Sequence, residues 1–494
     1  MNFNTIDKPR CNCGVFGIFG NAADSAVNTY YGLHSLQHRG QEAAGIVSLS
    51  DKNGSPYFSL HKDLGLVSEI FAGNNILEEK LAGYASIGHN RYSTFGSSDS
   101  RKNIQPFVVN YRLGNLAVAH NGNLTNAKQV RTELVNDGAI FQTTSDTEVI
   151  LHLIARSKLE DQIDQIREAL SKIEGAYSVI LLTNDKLIAA RDANGFKPLC
   201  IGKLNGSFII TSETCALDIN TAEYIRDVEP GEIVVIDKNV LETKEIKSFR
   251  IFDKPRPTKH CIFEYIYFSR PDSRIFGTNV DKMRRKLGKV LAQEHPVRDK
   301  DGEKVIVISV PDSSNTAAIG YQNQLEKLGI PSKLEIGLIR SHYIGRTFIT
   351  PGQKNREIGV RIKFNTVKGV LEGRTVVLID DSIVRGTTSK QLVNLIREAN
   401  PKSIHVRISS PPILNPCYYG MDFPSKEELI ANRMDKDVEK ISKYLGVDSL
   451  EYMSIEELLG AMVDHEEDEF CTACFSGIYP TSIDKFFSKE EFDK

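Results

Sequence analysis

No stretch of the 494 residues approaches the roughly 18 consecutive apolar residues that a membrane-spanning helix needs. The first ten residues also lack the hydrophobic centre of a secretory signal. A cytoplasmic protein with no membrane partner is expected. There is no basic excess: 61 Lys and Arg stand against 64 Asp and Glu, a net charge of −3, so nucleic acid is not expected as a partner. Cysteine is scarce, eight in the chain, which excludes a disulfide framework and turns attention to thiolate chemistry or metal ligation. Low-complexity tracts are missing as well. With 40% apolar and 25% charged residues, the composition is that of an ordered chain long enough for several cores.

From about residue 14 to 237, short β-branched runs such as 178–183, 186–190 and 232–236 alternate with turn residues, and one amphipathic helix is expected over 146–158. This predicts an α+β sandwich. Residues 253–259 hold two prolines and no apolar period, the pattern of an interdomain linker. Beyond it, 305–310 and 375–379 are continuous aliphatic runs, each followed by a helical pattern (316–328 and 388–399), and 405–408 resumes a strand. That is βαβ order, so a parallel sheet buried on both faces is expected. After Pro424, Ser425 to Glu428 and Ser454 to Glu457 have the spacing of capping boxes and predict a helical C-terminal extension.

The segment 376–389 reads Val-Val-Leu-Ile-Asp-Asp-Ser-Ile-Val-Arg-Gly-Thr-Thr-Ser. A buried strand ends in two acids, and a glycine turn rich in hydroxyls opens a helix, whose free amides make an anion site. The segment resembles the phosphate loop of the type I phosphoribosyltransferases, which bind phosphoribosyl pyrophosphate (PRPP). The resemblance implies that Asp380 and Asp381 hold the ribose hydroxyls, and that Ser382, Arg385, Gly386, Thr387 and Thr388 bind around the 5-phosphate. It also implies that 310–314, Val-Pro-Asp-Ser-Ser, is the pyrophosphate-side turn, with Mg²⁺ held by Ser313, Asp380 and Asp381. Between these strands, residues 340–363 carry Arg340, Arg346, Lys354, Arg356, Arg361 and Lys363 against one acid, Glu357. A basic lid is expected there, with Lys354 on PRPP.

Near the N-terminus, Cys13-Gly-Val-Phe-Gly-Ile opens a strand. Polar clusters follow at His38-Arg-Gly-Gln-Glu42, Gly88-His-Asn-Arg-Tyr-Ser-Thr94, His120-Asn-Gly-Asn123 and Ser145-Asp-Thr-Glu148. Together they resemble the glutamine amidotransferases of the N-terminal-nucleophile class (class II), which are four-layer αββα sandwiches. The resemblance implies that residues 1–12 are a propeptide and that Cys13 is the nucleophile, with its freed α-amine as base; Cys11 is the rival position. Asn121 and Gly122 would form the oxyanion hole, Arg91 would hold the glutamine carboxylate and Asp146 its ammonium, and Thr94 and Tyr92 would wall the pocket.

Cys200 and Cys215 lie in strand-like text and are read as small core residues. Cys261, Cys417, Cys471 and Cys474 remain in the second half, a set of thiols that suits either zinc or an iron–sulfur cluster by spacing. As a whole the chain resembles the glutamine PRPP amidotransferase family of purine biosynthesis, one branch of which uses cysteines in these contexts to hold a [4Fe–4S] cluster. Four parts are implied: 1–12 propeptide, 13–250 amidotransferase domain, 251–424 phosphoribosyltransferase domain and 425–494 helical extension. Purine nucleotides as feedback inhibitors and a homo-oligomer, tetramer or dimer, are implied too. Another class II amidotransferase would share the first half but should lack 380–388; a phosphoribosyltransferase acting on a nucleobase has no use for Cys13.

Overall fold

Alternation along the first strand sets the layers of the N-terminal half. In Gly14–Phe19, Val15 and Phe19 turn to one face and Phe16 and Ile18 to the other, the period of two that extended backbone dictates. The computed structural model, which describes residues 13–20, 24–73, 75–92, 101–341, 361–462 and 464–483, shows where those faces go. Val15 and Phe19 meet Ala117, Ala119, Ile180 and Leu182 of a second sheet. Phe16 and Ile18 pack on Ala26 and Leu33 of helix Ser25–Ser35.

The first sheet has seven strands, with Gly14–Phe19 between Ser207–Thr211 and Ala85–Arg91; the second has six, with Gly114–Leu124 against Gly175–Thr183. Helices Thr147–Arg156 and Gln162–Ser171 close the outer face of the second sheet through Ile150, Ile154, Ile166 and Leu170. This is the expected αββα sandwich. Residues 253–259 then cross to the second half without helix or strand.

There the aliphatic runs form a five-stranded parallel sheet in the order Ser332–Leu334, Val305–Ser309, Thr375–Asp380, Ser403–Ile408 and Ser449–Tyr452. Helices Asn315–Lys327 and Thr387–Arg397 follow the second and third of these strands, the βαβ order read from the sequence. The segment after Pro424 carries only short helices, among them Val438–Leu445 and Ile455–Gly460, with turns between them, and it returns one strand, Ser449–Tyr452, to the sheet. Ser454 caps helix Ile455–Gly460, accepting the Glu457 amide at 3.2 Å. Ser425 does not open a helix: residues 426–428 form a turn, and a single helical turn, Ile430–Arg433, starts later. Its start is pinned by buried Ile430, whose amide donates to Val384 O at 2.8 Å.

The two halves are docked. His260–Cys261 pairs in parallel with Phe470–Cys471, Cys261 N donates to Phe196 O at 3.0 Å, and the Phe196 and Tyr419 rings stack at 4.2 Å.

Candidate active site

Strand register builds the first centre. Gly14 lies opposite Asn90 and Val15 opposite His89, which sets Cys13 beside Arg91. Cys13 continues the inward-facing series of Val15 and Phe19, and Arg91 that of Ala85 and Ile87. On the facing sheet Asn121 continues the inward series of Ala117 and Ala119. Three of the expected residues therefore meet in the gap between the sheets, all buried. Asp146, just before helix Thr147–Arg156, joins them; its Oδ2 accepts the Leu124 amide at 3.0 Å.

The Cys13 thiol donates to Tyr92 O at 3.6 Å. Burial pushes it up to about 11; the Tyr92 contact and the Arg91 charge pull it down, and the carboxylates of Asp146 and Glu42 push it up. At neutral pH it is a thiol that needs a base before it can attack. Asn121 is fully buried, and neither its amide nitrogen nor its oxygen has a partner among the described residues. Gly122 has φ +150°, and a Cβ there would sit 1.9 Å from Ala176 O, so only glycine fits. Behind it His120 Nδ1 lies 3.0 Å from Thr147 Oγ1, and burial holds that imidazole below its usual range.

The second centre sits at the carboxyl end of strand Thr375–Asp380, where open α/β sheets bind ligands. Ser313 Oγ donates to Asp381 Oδ2 at 2.5 Å, Ser314 Oγ to Asp380 Oδ1 at 3.2 Å, and Ser382 Oγ to Asp381 Oδ1 at 2.8 Å. The expected acid pair and pyrophosphate-side turn are thus one hydrogen-bonded unit. Gly386, with φ +78°, precedes helix Thr387–Arg397; a Cβ on it would meet Ile430 Cδ1 at 2.3 Å. Thr387 and Thr388 form the first turn of that helix, whose unshared amides favour an anion. Arg385 reaches the surface and pairs with Glu428 at 2.8 Å. A cavity of about 600 Å³ adjoins this end of the sheet, lined by Pro311, Asp312, Asn315 and Arg340 among others. Thr94, Lys354, the proposed propeptide and most of the basic segment lie outside the described residues.

Cys261, Cys471 and Cys474 are buried and Cys417 half-buried. Burial pushes the Cys261 thiol up to about 11 and raises those of Cys471 and Cys474, with the neighbouring cysteines adding to each shift. The four therefore share one desolvated region. Among the described residues, no three His, Cys, Asp or Glu side chains gather closely enough to hold a single ion. Cys200 and Cys215 are core residues, as read.

Sequence reasoning missed the charges in the seam between the halves. Arg39, Glu213 and Glu264 are fully buried, and Arg39 Nε donates to the Cys13 carbonyl at 3.3 Å. Arg39 stands inside the quoted 38–42 cluster and Glu264 three residues after Cys261, but nothing in a linear text joins residues 225 positions apart.

A cysteine facing a buried amide between two sheets, joined to an acid-and-hydroxyl loop on a parallel sheet, defines a two-centre protein of the amidotransferase and phosphoribosyltransferase type. Residues 89–218 match the family model described as a glutamine amidotransferase domain. The chain is 50% identical to amidophosphoribosyltransferase 2, chloroplastic, of Arabidopsis thaliana over 96% of its own length and 80% of the relative's. It is 47% identical to the amidophosphoribosyltransferase of Bacillus subtilis (strain 168), over 95% and 94%. The solved structure of glutamine PRPP amidotransferase from B. subtilis, complexed with ADP and GMP, superposes with a TM-score of 0.86 at 46% identity, covering 96% of this chain and 99% of that one. The chain belongs to the amidophosphoribosyltransferase family.

Proposed function

We propose that this chain divides the family's reaction between its two centres: Cys13 takes the amide nitrogen from glutamine, and the 380–388 loop presents PRPP, whose C1 receives it as pyrophosphate leaves. The products are phosphoribosylamine and glutamate, the first committed step of purine biosynthesis. The observation that carries this reading is the fully buried Asn121 amide, without a partner among the described residues, on the inward register shared with Cys13 and Arg91. Another class II amidotransferase is not favoured, because the relatives match along both halves.

Loss of residues 1–12 would free the Cys13 α-amine, whose ordinary pKa of about 7.7–8.0 suits a proton shuttle at neutral pH. The amine takes the thiol proton, the thiolate attacks the glutamine amide carbon, and the oxyanion is held by the Asn121 amide and the Gly122 N–H. The amine returns its proton to the departing ammonia, and water then cleaves the thioester to glutamate. Arg91 holds the substrate carboxylate as a planar fork and Asp146 its ammonium, with Thr94 and Tyr92 as walls. Ammonia that met bulk water would become ammonium, which has no lone pair, so an enclosed passage between the docked halves is part of the proposal.

At the second centre the amides of Gly386, Thr387 and Thr388 receive the 5-phosphate with Ser382 and Arg385 beside them. Asp380 and Asp381 accept from the ribose hydroxyls, and Lys354 meets the pyrophosphate. Ser313, Asp380 and Asp381 offer an all-oxygen set that suits Mg²⁺. When bound, that ion would neutralise charge on the leaving pyrophosphate. Cys261, Cys417, Cys471 and Cys474 would hold a [4Fe–4S] cluster; the pairing of Cys261 with Cys471 and the mutual raising of the buried thiols support one shared site for the four. Its contribution would be structural, tying the 260–261 strand and the C-terminal segment to the transferase half. Purine nucleotides, whose ribose phosphate fits the same loop, are proposed inhibitors, supported by the nucleotides in the B. subtilis complex. A homo-oligomer, tetramer or dimer, in the cytoplasm completes the proposal; none of the seven described cysteines forms a disulfide.

Intact-mass and metal analysis of the purified native enzyme test this directly. The active species should begin at Cys13 and carry about four iron and four sulfide per chain. An active species that begins elsewhere would overturn the nucleophile assignment, and zinc in place of iron would overturn the cluster.

A further inference from the structure

Three charged side chains and one arginine clamp fill the seam between the halves without access to solvent. Arg39 donates its Nε to the Cys13 carbonyl and forks Glu264 with Nη2 to Oε1 at 2.9 Å and Nη1 to Oε2 at 3.0 Å; Nη1 also meets Glu213. Glu213 in turn accepts from Ser273 Oγ at 2.7 Å and from the Arg270 amide at 2.9 Å, so both carboxylates bind both halves. Glu264 opens the wide helical turn Glu264–Phe268, and Arg284 grips that turn by donating to Tyr265 O at 2.7 Å and Ser269 O at 2.8 Å.

Arg284 stands on helix Val280–Glu294, which touches helix Asn315–Lys327 backbone to backbone. A Cβ on Gly288 would lie 1.9 Å from Ala317 O, and one on Gly320 would lie 2.1 Å from Arg285 O. The second helix starts directly after Ser313 and Ser314, the residues hydrogen-bonded to Asp381 and Asp380. Burial pulls the Arg284 guanidinium down, and the favourable charges that oppose this are Asp381 first and Glu213 second. A continuous set of packed and hydrogen-bonded groups therefore runs from the acid pair to the carbonyl of Cys13.

We infer that Arg39 and Glu264 are positioning residues for glutamine hydrolysis, and that their ion pair, gripped through Arg284, transmits occupancy of the Asp380–Asp381 pocket to Cys13. This rests on the two-centre reading above. Fixing the Cys13 carbonyl fixes the torsions that set a terminal amine against its own thiol, and a terminal residue has no preceding peptide to do so. Because Glu264 belongs to the second half, the first centre is incomplete without it. The buried pair also resists rearrangement, since it belongs to a desolvated charge cluster in which Arg39 also meets Glu213 and Glu264 faces Lys197 at 3.7 Å, and breaking such a cluster is strongly penalised.

The test uses the full-length holoenzyme. Glutamate release from glutamine is measured with and without PRPP, and synthesis is measured with ammonium salt in place of glutamine. In Glu264→Gln the kcat for glutamine hydrolysis should fall more than the KM for glutamine changes. Stimulation by PRPP should shrink about fivefold or more, while ammonia-dependent synthesis is retained and Glu264→Asp recovers part of the loss. Arg284→Lys keeps the charge but not the two-pronged grip; it should lose stimulation while keeping PRPP-free hydrolysis, and it decides alone if Glu264→Gln does not fold. Stimulation at the unmodified level in these variants, or equal loss of both half-reactions, overturns the inference. An unmodified enzyme indifferent to PRPP also overturns it but leaves the two centres standing, whereas an unmodified enzyme that lacks either half-reaction contradicts the two-centre reading itself.

Discussion

Replacing Asn121 by alanine separates catalytic from structural use of a buried amide. A buried amide with no partner costs about 1–3 kcal/mol, and both polar atoms of Asn121 are in that state among the described residues. Truncation removes this penalty and loses a little packing, so the two nearly offset and unfolding should move by no more than about 1 kcal/mol, a few degrees for a domain of this size. The strand itself is kept, because Asn121 opposite Ser178 is held by its backbone. Loss of one oxyanion donor has a much larger effect, about 3–4 kcal/mol, or 10² to 10³ in kcat. The assay is glutamate release at saturating glutamine, with ammonia-dependent synthesis measured on the same preparation. Hydrolysis should drop by that factor, synthesis from ammonia should persist and the melting temperature should barely change. Unchanged hydrolysis with a large drop in melting temperature would refute the reasoning, because the amide would then serve the fold.

Other outcomes follow from the same geometry. Gly386→Ala forces a side chain into a left-handed backbone and against Ile430 Cδ1 at 2.3 Å, a cost of about 2–4 kcal/mol; the KM for PRPP in ammonia-dependent synthesis should rise more than the KM for glutamine. Burial by itself would raise the Glu148 carboxyl, but hydrogen bonds from His152, the Gln142 and Thr143 amides and the Thr143 hydroxyl hold it at about 2 in the folded protein, below its ordinary 4.5. Its contribution is therefore complete above pH 4.5 and lost as pH falls towards 2, so Glu148→Gln should flatten the decline of stability in that window, read by denaturant melts at stepped pH. Cys261→Ser should abolish bound iron and sulfide and lower thermal stability, while Cys200→Ser, in the first-domain core, should leave the iron content unchanged.

Much of the fold was legible because burial on both faces writes continuous aliphatic text: strands Val305–Ser309 and Thr375–Asp380 stand within a residue of their expected runs. The strand opening at Cys13 was equally readable, since Gly14–Phe19 is an unbroken run of apolar residues and glycine. Ser449–Tyr452 was not read as a strand, because four residues of alternating polarity carry too little period to separate them from the helices on either side. Ser425 mimicked a helix start, but the tie between Ile430 and Val384 moves the first helical turn onward. The Arg39–Glu264 pair was invisible for a different reason: a buried charge has the same letter as an exposed one, and only the docking of the two halves reveals which is which.

The most direct measurement compares glutamine with ammonium salt as nitrogen donor for phosphoribosylamine formation in Cys13→Ala. Synthesis from glutamine should disappear while synthesis from ammonia continues near the unmodified rate, since the change removes only the Cys13 thiol and leaves the Asp380–Asp381 pocket on the other half intact. A folded variant that still uses glutamine, or one that loses ammonia as well, would contradict a division of labour between the thiol and the diphosphate pocket.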